Sequence, residues 1–149
     1  MVKTATTQVW ADHARSVLER AGHHRGGARD AVIDLLAAQR CALSALEIED
    51  ALRAADRRVG RASIYRVLEL LAHHRLIQRI ELGDAAARYE LAAPDGDHHH
   101  HLLCERCHRV VPFNDPGLER SIERLSGRLG FAVAEHDVVL HGACAHCAR

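Results

Sequence analysis

The hydrophobic residues in the first half of the chain recur every three or four positions, which is the spacing of helices with one buried face. A stripe that includes Trp10 and Leu18 predicts a helix that ends near Gly22. A second stripe, around Leu35, predicts a helix over about 28–38. Aromatic residues make up only 3% of the chain, so we expect the core to be mainly aliphatic.

Two further helices are predicted before the middle of the chain. Ser44 and Glu47 have the spacing of a capping box, which predicts a third helix ending near Ala55. A fourth helix is predicted to begin after Gly60. Its buried stripe would consist of Ile64, Val67, Leu68 and Leu71.

The periodicity changes after the fourth helix. Residues 76–82 and 87–91 have the pattern of two strands joined by a turn at 83–85. Three helices, a turn, a fourth helix and a hairpin form the layout of a winged helix-turn-helix. In that layout the polar face of the fourth helix enters the major groove of DNA.

The composition of residues 92–97 is typical of a linker. We therefore expect an α+β protein with a winged helix-turn-helix domain at 1–92 and a small α/β domain at 93–149. A domain as small as the second commonly needs a metal ion or a partner chain for stability. Its predicted elements are strands at 98–103, 109–113 and about 134–141, and a helix carrying Leu118, Ile122, Leu125 and Leu129.

Two cysteine pairs with Cys-x-x-Cys spacing flank the predicted second domain. They are Cys104 with Cys107, and Cys144 with Cys147. Each pair can hold one ion from one side, and two pairs complete the tetrahedral thiolate shell of structural zinc. A redox dithiol or a set of buried free thiols is the alternative, but paired motifs around a small domain favour zinc.

A run of four histidines, His98–His101, lies just before the first cysteine pair. In a strand, successive side chains point to opposite faces. His98 and His100 would then face one way, and His99 and His101 the other. This alternation predicts contributions to two separate metal sites; a solvated polar strand is the alternative.

The formal net charge is zero, so any DNA binding must depend on a local patch. Arg57, Arg58 and Arg61 are candidates for contacts with phosphates. Tyr65 and Arg66 lie off the apolar stripe of the fourth helix, where they could read base edges. A charged face that only contacts water is the alternative.

No apolar run approaches the roughly 20 residues that a membrane-spanning helix needs. The first residues also lack the apolar core of a signal peptide. We therefore expect a cytoplasmic protein that does not associate with a membrane.

Four motifs follow one another along the chain: Gly60–Leu68, the turn 83–85 followed by Arg88-Tyr89-Glu90, the histidine run ahead of Cys104-x-x-Cys107, and the closing Cys144-x-x-Cys147. Together, over about residues 12–147, these motifs resemble the ferric uptake regulator family. Members of this family are dimeric, metal-responsive, DNA-binding repressors. The resemblance implies a homodimer that binds palindromic double-stranded operator DNA, with Ser63 on the recognition helix beside the DNA-contacting residues named above.

The resemblance also assigns ligands by position. The four paired cysteines would hold structural Zn²⁺. A regulatory site would use Glu90, His99 and His101. An additional site would use His98, His100, Glu119 and His136. Glu90, Glu119 and His136 also have ordinary surface interpretations.

The chain departs from the family pattern at two candidate ligands. Family members often supply a histidine just before the third helix, but the matching stretch contains Cys41 instead. Cys41 could be a substitute regulatory ligand or a small buried hydrophobic residue. His100 stands where an aspartate is often found, which removes a charge and a hard oxygen ligand.

The resemblance implies a non-enzymatic, metal-dependent repressor of metal-homeostasis genes, with iron the favoured signal. The regulatory ion would be Fe²⁺ or Zn²⁺, and Mn²⁺ or Ni²⁺ also suits a mixed nitrogen and oxygen set. A zinc uptake regulator and a peroxide sensor are alternatives on the same scaffold. A zinc-buffering module is a third, whereas hydrolysis is disfavoured because a closed thiolate shell leaves no position for water.

Overall fold

The computed structural model describes residues 3–39, 42–82, 85–92 and 98–148, and the chain forms two compact units, 1–94 and 95–149. The described part of the first unit contains four helices and a three-stranded antiparallel sheet with the order β1-β3-β2. The helices are α1 (Lys3–Arg20), α2 (Gly27–Ala38), α3 (Ala45–Ala54) and α4 (Arg61–His73), and the strands are β1 (Leu43–Ser44), β2 (Ile77–Leu82) and β3 (Ala85–Leu91).

The predicted capping box at the start of α3 is confirmed. The Ser44 hydroxyl accepts a hydrogen bond from the Glu47 backbone N–H at 3.2 Å, and the Ser44 backbone N–H donates to the Glu47 carboxylate at 2.8 Å. Arg88 of β3 donates to the same carboxylate at 2.7 Å. This contact ties the start of α3 to the hairpin.

The first unit has an aliphatic core, as the composition predicted. The Trp10 indole N–H donates to the Leu76 carbonyl at 3.1 Å, so α1 is fastened to the turn between α4 and β2. The largest fully buried aliphatic side chains of this unit are Leu18, Val32, Ile33, Ile48, Leu52, Ile64, Leu68 and Leu71.

The described part of the second unit contains a three-stranded sheet and one helix. Strand β4 pairs with β5 in the antiparallel sense and with β6 in the parallel sense. Asp115 caps the helix, since its carboxylate accepts a hydrogen bond from the Leu118 N–H at 2.9 Å. The elements are β4 (His100–Cys104), β5 (Val110–Phe113), α5 (Pro116–Arg128) and β6 (Val139–Gly142).

The element order follows the sequence prediction with three differences. The first helix begins at Lys3, upstream of the stripe that predicted it. Strand β1 was not predicted, because its two residues are defined by pairing with Tyr89 and Arg88 far along the chain. The last strand is shorter than predicted, because only residues from Val139 onward form a strand against β4.

Candidate metal centres and nucleic-acid interface

The second unit brings the four paired cysteines together. Parallel pairing places Cys104 at the end of β4 opposite Gly142 at the end of β6, so the two cysteine pairs meet just beyond the sheet. All four sulfur atoms lie within 4.8 Å of one another. The Cys107 and Cys144 sulfurs are 3.8 Å apart. Two thiolates on one tetrahedral zinc ion at about 2.3 Å would also be about 3.8 Å apart.

Hydrogen bonds within this cluster shift the pKa values of its thiols. The Cys144 backbone N–H donates to the Cys104 sulfur at 3.3 Å, and this bond, with one from the Cys107 backbone, lowers the pKa of Cys104 to about 5. Burial opposes ionisation of Cys144, yet hydrogen bonds from Cys147 bring its pKa below the ordinary value. The hydrogen bond with Cys144 raises the pKa of Cys147 to about 12.

A second cluster lies toward the start of β4, where residues of α5 and of the segment before β6 contact the histidine run. The His100 and Glu119 side chains are 2.6 Å apart, and the second Glu119 oxygen lies 3.0 Å from the His136 Nε2. The His98 and His136 Nε2 atoms are 3.1 Å apart. One ligand atom from each of these four residues lies within 4.8 Å of all the others.

The electrostatics of the second cluster favour a cation. His100 is 1% exposed, and its Nδ1 has no hydrogen-bond partner among the described residues, so its Nε2 contact with Glu119 is its polar anchor. That hydrogen bond lowers the pKa of Glu119 below its ordinary value, with further help from the charge of His136. An ionised carboxylate among three imidazoles is a mixed donor set that suits Fe²⁺, Mn²⁺, Ni²⁺ or Zn²⁺.

The residues of the predicted regulatory site are placed in different units. Glu90 lies half-buried on β3 of the first unit, opposite Gln78 of β2. His99 and His101 belong to the second unit, where their ring centroids are 5.0 Å apart. His98 and His100 form the other ring pair at 4.6 Å, so the alternation of faces predicted for the run is present. Cys41 lies outside the described residues.

The exposed face of α4 carries the predicted DNA-contacting residues. Tyr65 is 45% exposed, Arg66 is exposed and Ser63 is half-buried, whereas the apolar stripe of the helix faces the core. No side chain caps the Gly60 end of α4 among the described residues, so its first backbone N–H groups can donate hydrogen bonds to phosphate oxygens. Arg58 is exposed beside that end and lines a shallow pocket there.

Two of the predicted phosphate contacts are already paired with carboxylates. Arg57 donates to Asp34 at 3.3 Å, and Arg61 donates to Glu49 at 2.7 Å. Sequence reasoning missed both carboxylates, because each lies on another helix and no local pattern links it to its partner. A DNA phosphate would have to compete with these contacts, which are surface ion pairs worth about 1 kcal/mol or less.

The fold and its clusters define a class of protein. The first unit has an exposed, arginine-bearing helix and a hairpin, and the second has a thiolate cluster and a histidine–carboxylate cluster. This combination is typical of metal-responsive transcriptional regulators.

The comparisons with known proteins agree with this class. The family model for the ferric uptake regulator family matches residues 20–141, and the chain belongs to that family. Its members are transcriptional regulators rather than enzymes. The ferric uptake regulation protein of Bordetella parapertussis is 36% identical over 107 residues, which cover 72% of this chain and 76% of that protein.

Two solved structures are similar over nearly the whole chain. The Helicobacter pylori ferric uptake regulator Fur, whose structure reveals three functional metal binding sites, aligns with a TM-score of 0.82 at 25% identity, covering 96% of this chain and 94% of that one. A zinc uptake regulator complexed with zinc and DNA aligns with a TM-score of 0.65 at 25% identity, covering 96% and 95%. In the described part of this chain, no helix is long and apolar enough to cross a membrane.

Proposed function

We propose that this protein is a cytoplasmic, homodimeric repressor that senses iron and controls metal-homeostasis genes, without catalysis of its own. Residues 1–92 would bind palindromic operator DNA as a winged helix, and residues 93–149 would dimerise and bind metal. The observation that carries the proposal is the occurrence of two chemically different ligand clusters in one small unit, a four-thiolate set and a set of three imidazoles with one carboxylate.

The thiolate set is suited to a structural role. Cys104, Cys107, Cys144 and Cys147 would hold Zn²⁺, and the 3.8 Å sulfur separation supports this assignment. Four protein ligands leave no position for exchangeable solvent, so such a site favours permanent occupancy over sensing. Zinc bound there would supply folding free energy to a unit with few buried side chains.

The mixed set is suited to reversible binding. His98, His100, Glu119 and His136 offer nitrogen and oxygen donors, which bind divalent first-row metals with less selectivity than thiolates. Their hydrogen bonds to one another hold the side chains in place before any ion arrives. Family resemblance assigns a further, regulatory set to Glu90, His99 and His101, with Cys41 as a candidate fourth ligand.

Repression would follow from differential affinity. Metal that binds the DNA-competent arrangement more tightly than the alternative shifts the population toward it, typically by about 5–150-fold in affinity. Two copies of α4 in a dimer would then reach successive major grooves of a palindromic site. Tyr65, Arg66 and Ser63 would face bases, and Arg57, Arg58 and Arg61 would contact phosphates.

A zinc uptake regulator is the second candidate. The likeness to the zinc uptake regulator complexed with zinc and DNA supports it, and a thiolate from Cys41 would favour Zn²⁺ over Fe²⁺. The same binding experiment separates the two candidates, because it can be run with each metal in turn.

The test is DNA binding in defined metal states. Target duplexes would first be selected from a random-sequence library with the metal-loaded protein. These duplexes would then be titrated in the absence of oxygen with two forms of the protein, one stripped of removable metal and one reloaded with Fe²⁺ or Zn²⁺. We expect Fe²⁺ to restore affinity by about 5–150-fold. Restoration by Zn²⁺ alone would favour the zinc regulator, and loss of binding after peroxide, with oxygen added to a histidine, would favour the peroxide sensor.

A pair of glutamates on α5 provides the matched control. Glu119→Gln removes the carboxylate from the mixed cluster, whereas Glu123→Gln changes an exposed carboxylate on the same helix. We expect Glu119→Gln to weaken the metal-dependent gain in DNA affinity and Glu123→Gln to leave it intact. Equal DNA affinity in all metal states would contradict the proposal.

A further inference from the structure

Two histidines of the first unit face each other outside every cluster assigned above. The Nε2 atoms of His23 and His74 are 3.4 Å apart although the residues are 51 positions apart in sequence. Their ring centroids are 5.4 Å apart and the rings are nearly perpendicular. Both side chains are half-buried, so they are accessible to an ion without being free to move.

A backbone motif fixes the position of His23. Helix α1 is followed by Gly22 in the left-handed region at φ 84°, with its N–H bonded to the Glu19 carbonyl. The His23 N–H then reaches back to the Leu18 carbonyl at 2.9 Å. These two bonds are the Schellman arrangement that ends many helices, and they leave the His23 backbone little freedom.

The same motif fixes His74 at the end of α4. His74 is the C-cap residue of α4, and the next residue, Arg75, adopts the left-handed conformation at φ 55°. The Arg75 N–H bonds to the Ala72 carbonyl, and the Leu76 N–H bonds to the Leu71 carbonyl at 2.9 Å. The Trp10 hydrogen bond to the Leu76 carbonyl also anchors this turn against α1.

The separation of the two nitrogens matches chelation better than hydrogen bonding. Two nitrogens bound to one tetrahedral zinc ion at about 2.0–2.1 Å are about 3.3–3.4 Å apart. The observed 3.4 Å falls on that value. Good N–H hydrogen bonds span about 2.7–3.2 Å, so a direct bond between the two rings at this distance would be weak.

The surroundings also favour a cation. Helices α1 and α4 both end at this point, and the C-terminal end of a helix carries a partial negative charge that stabilises cations nearby. Imidazole nitrogen is a preferred ligand of zinc, copper and nickel ions. We propose that His23 and His74 form a two-histidine site for a divalent transition-metal ion, with Zn²⁺ the ion whose geometry the spacing fits, and with solvent or a third ligand completing the shell.

Such a site would act on the DNA-binding unit directly. An ion held by both residues cross-links the end of α1 to the end of α4, the helix that carries Tyr65 and Arg66. A ligand that binds only the folded unit stabilises it by a free energy that grows with the logarithm of its concentration relative to the dissociation constant. The site is separate from the sensing clusters, so it does not depend on the function proposed for them.

The experiment counts zinc ions on the full-length protein. Wild type, His23→Gln and His74→Gln would each be titrated with Zn²⁺ in competition with a chromophoric chelator. The matched controls are His24→Gln and His13→Gln, which change exposed histidines of the same unit. We expect His23→Gln and His74→Gln each to bind one equivalent fewer than wild type, and both controls to bind as many as wild type.

A spectroscopic measurement identifies the ligand atoms. In NMR spectra of protein labelled with nitrogen-15, Zn²⁺ should shift the imidazole Nε2 resonances of His23 and His74 at the same added equivalent. Circular dichroism would confirm that each variant is folded. Unchanged stoichiometry in both variants would overturn the proposal. An equal loss of bound zinc in all four variants would also overturn it, because that result would indicate general binding to surface histidines. Nε2 resonances that do not respond to zinc would overturn it as well.

Discussion

The first unit buries its large side chains, whereas the second leaves many of them at the surface. Among the described residues, the largest fully buried side chains are eight aliphatic residues of the first unit and His100 of the second. Of the ten exposed large hydrophobic side chains in the described ranges, seven belong to the second unit, and α5 has no buried residue.

This difference indicates two sources of stability. The first unit has the contiguous aliphatic core that an independent domain requires. The second unit instead carries two polar ligand clusters, and its exposed apolar side chains are available to a partner chain. We therefore expect the first unit to fold by packing and the second to depend on metal and on dimerisation.

The largest expected effect comes from the thiolate cluster. Cys104→Ser would remove one of the four proposed zinc ligands, and structural zinc contributes about 10–16 kcal/mol of apparent binding free energy near neutral pH. We expect the amides of the second unit to lose protection from hydrogen exchange. Fluorescence of Trp10, the only tryptophan of the chain, should stay native-like because it reports the first unit. If the amides of the second unit kept their protection from hydrogen exchange, the second unit would not depend on metal as the comparison of the two units implies.

The next effect tests the core of the first unit. Leu68→Ala opens a cavity at a fully buried position and should cost about 2–5 kcal/mol of unfolding free energy. Leu46→Ala is the matched control, since this leucine is 53% exposed on α3 and should change stability by about 0.5 kcal/mol or less. Denaturant unfolding followed by Trp10 fluorescence measures both. Equal costs would show that the buried stripe does not carry the stability.

A third prediction concerns the apolar surface of the second unit. Leu140→Glu places a charge on a side chain that is 49% exposed in the single chain. If this face is covered in the dimer, the change should weaken self-association by about 2–4 kcal/mol, as at an interface hot spot. Sedimentation over a range of protein concentrations gives the result. Leu46→Glu, at an exposed leucine of the first unit, should leave self-association unchanged, and the same dimer constant for Leu140→Glu would contradict this interface.

The smallest expected effect is the contribution of the Glu47 carboxylate to the free energy of unfolding, and this contribution depends on pH. Burial alone would raise the pKa of Glu47, but the hydrogen bond from the Ser44 backbone and the charge of Arg88 lower it below its ordinary value. A carboxyl whose pKa is lowered by folding stabilises the folded state above its unfolded pKa. That stabilisation is lost as the pH falls through the folded pKa.

Glu47→Gln should therefore cost about 1–2 kcal/mol at neutral pH, because the side chain is 43% exposed and solvent screens its charge, and progressively less below about pH 4. Glutamine can still serve in the capping box, so the loss would report the charge and its contact with Arg88. Glu81→Gln, which breaks an exposed ion pair with Arg79, should cost about 1 kcal/mol or less at every pH. Thermal unfolding across a pH series would show a pH-independent difference if this assignment were wrong.

Local patterns were enough to predict most of the fold. The helices, the capping box and the hairpin depend on residues close together in sequence, and they are present where periodicity and Ser44 indicated them. The limits of β1 and β6 depend on pairing with distant strands, so no local pattern defined them.

The ligand clusters could be predicted only in part. Cysteine spacing and strand alternation indicated which side chains would share a face, and family resemblance supplied Glu119 and His136. The pairing of His23 with His74 depends on how the ends of α1 and α4 meet in the folded unit, and the pairing of Arg61 with Glu49 depends on how α3 and α4 pack. Contacts of this kind have no counterpart in local sequence.

The central claim is that one metal maintains the second unit while another controls DNA binding. Stepwise chelation of the full-length protein, with zinc content and DNA affinity measured on the same samples, tests it most directly. We predict that DNA affinity falls while one zinc per chain remains and the circular dichroism spectrum is unchanged. A fall in DNA affinity only when the last zinc leaves, or no fall at all, would contradict the claim.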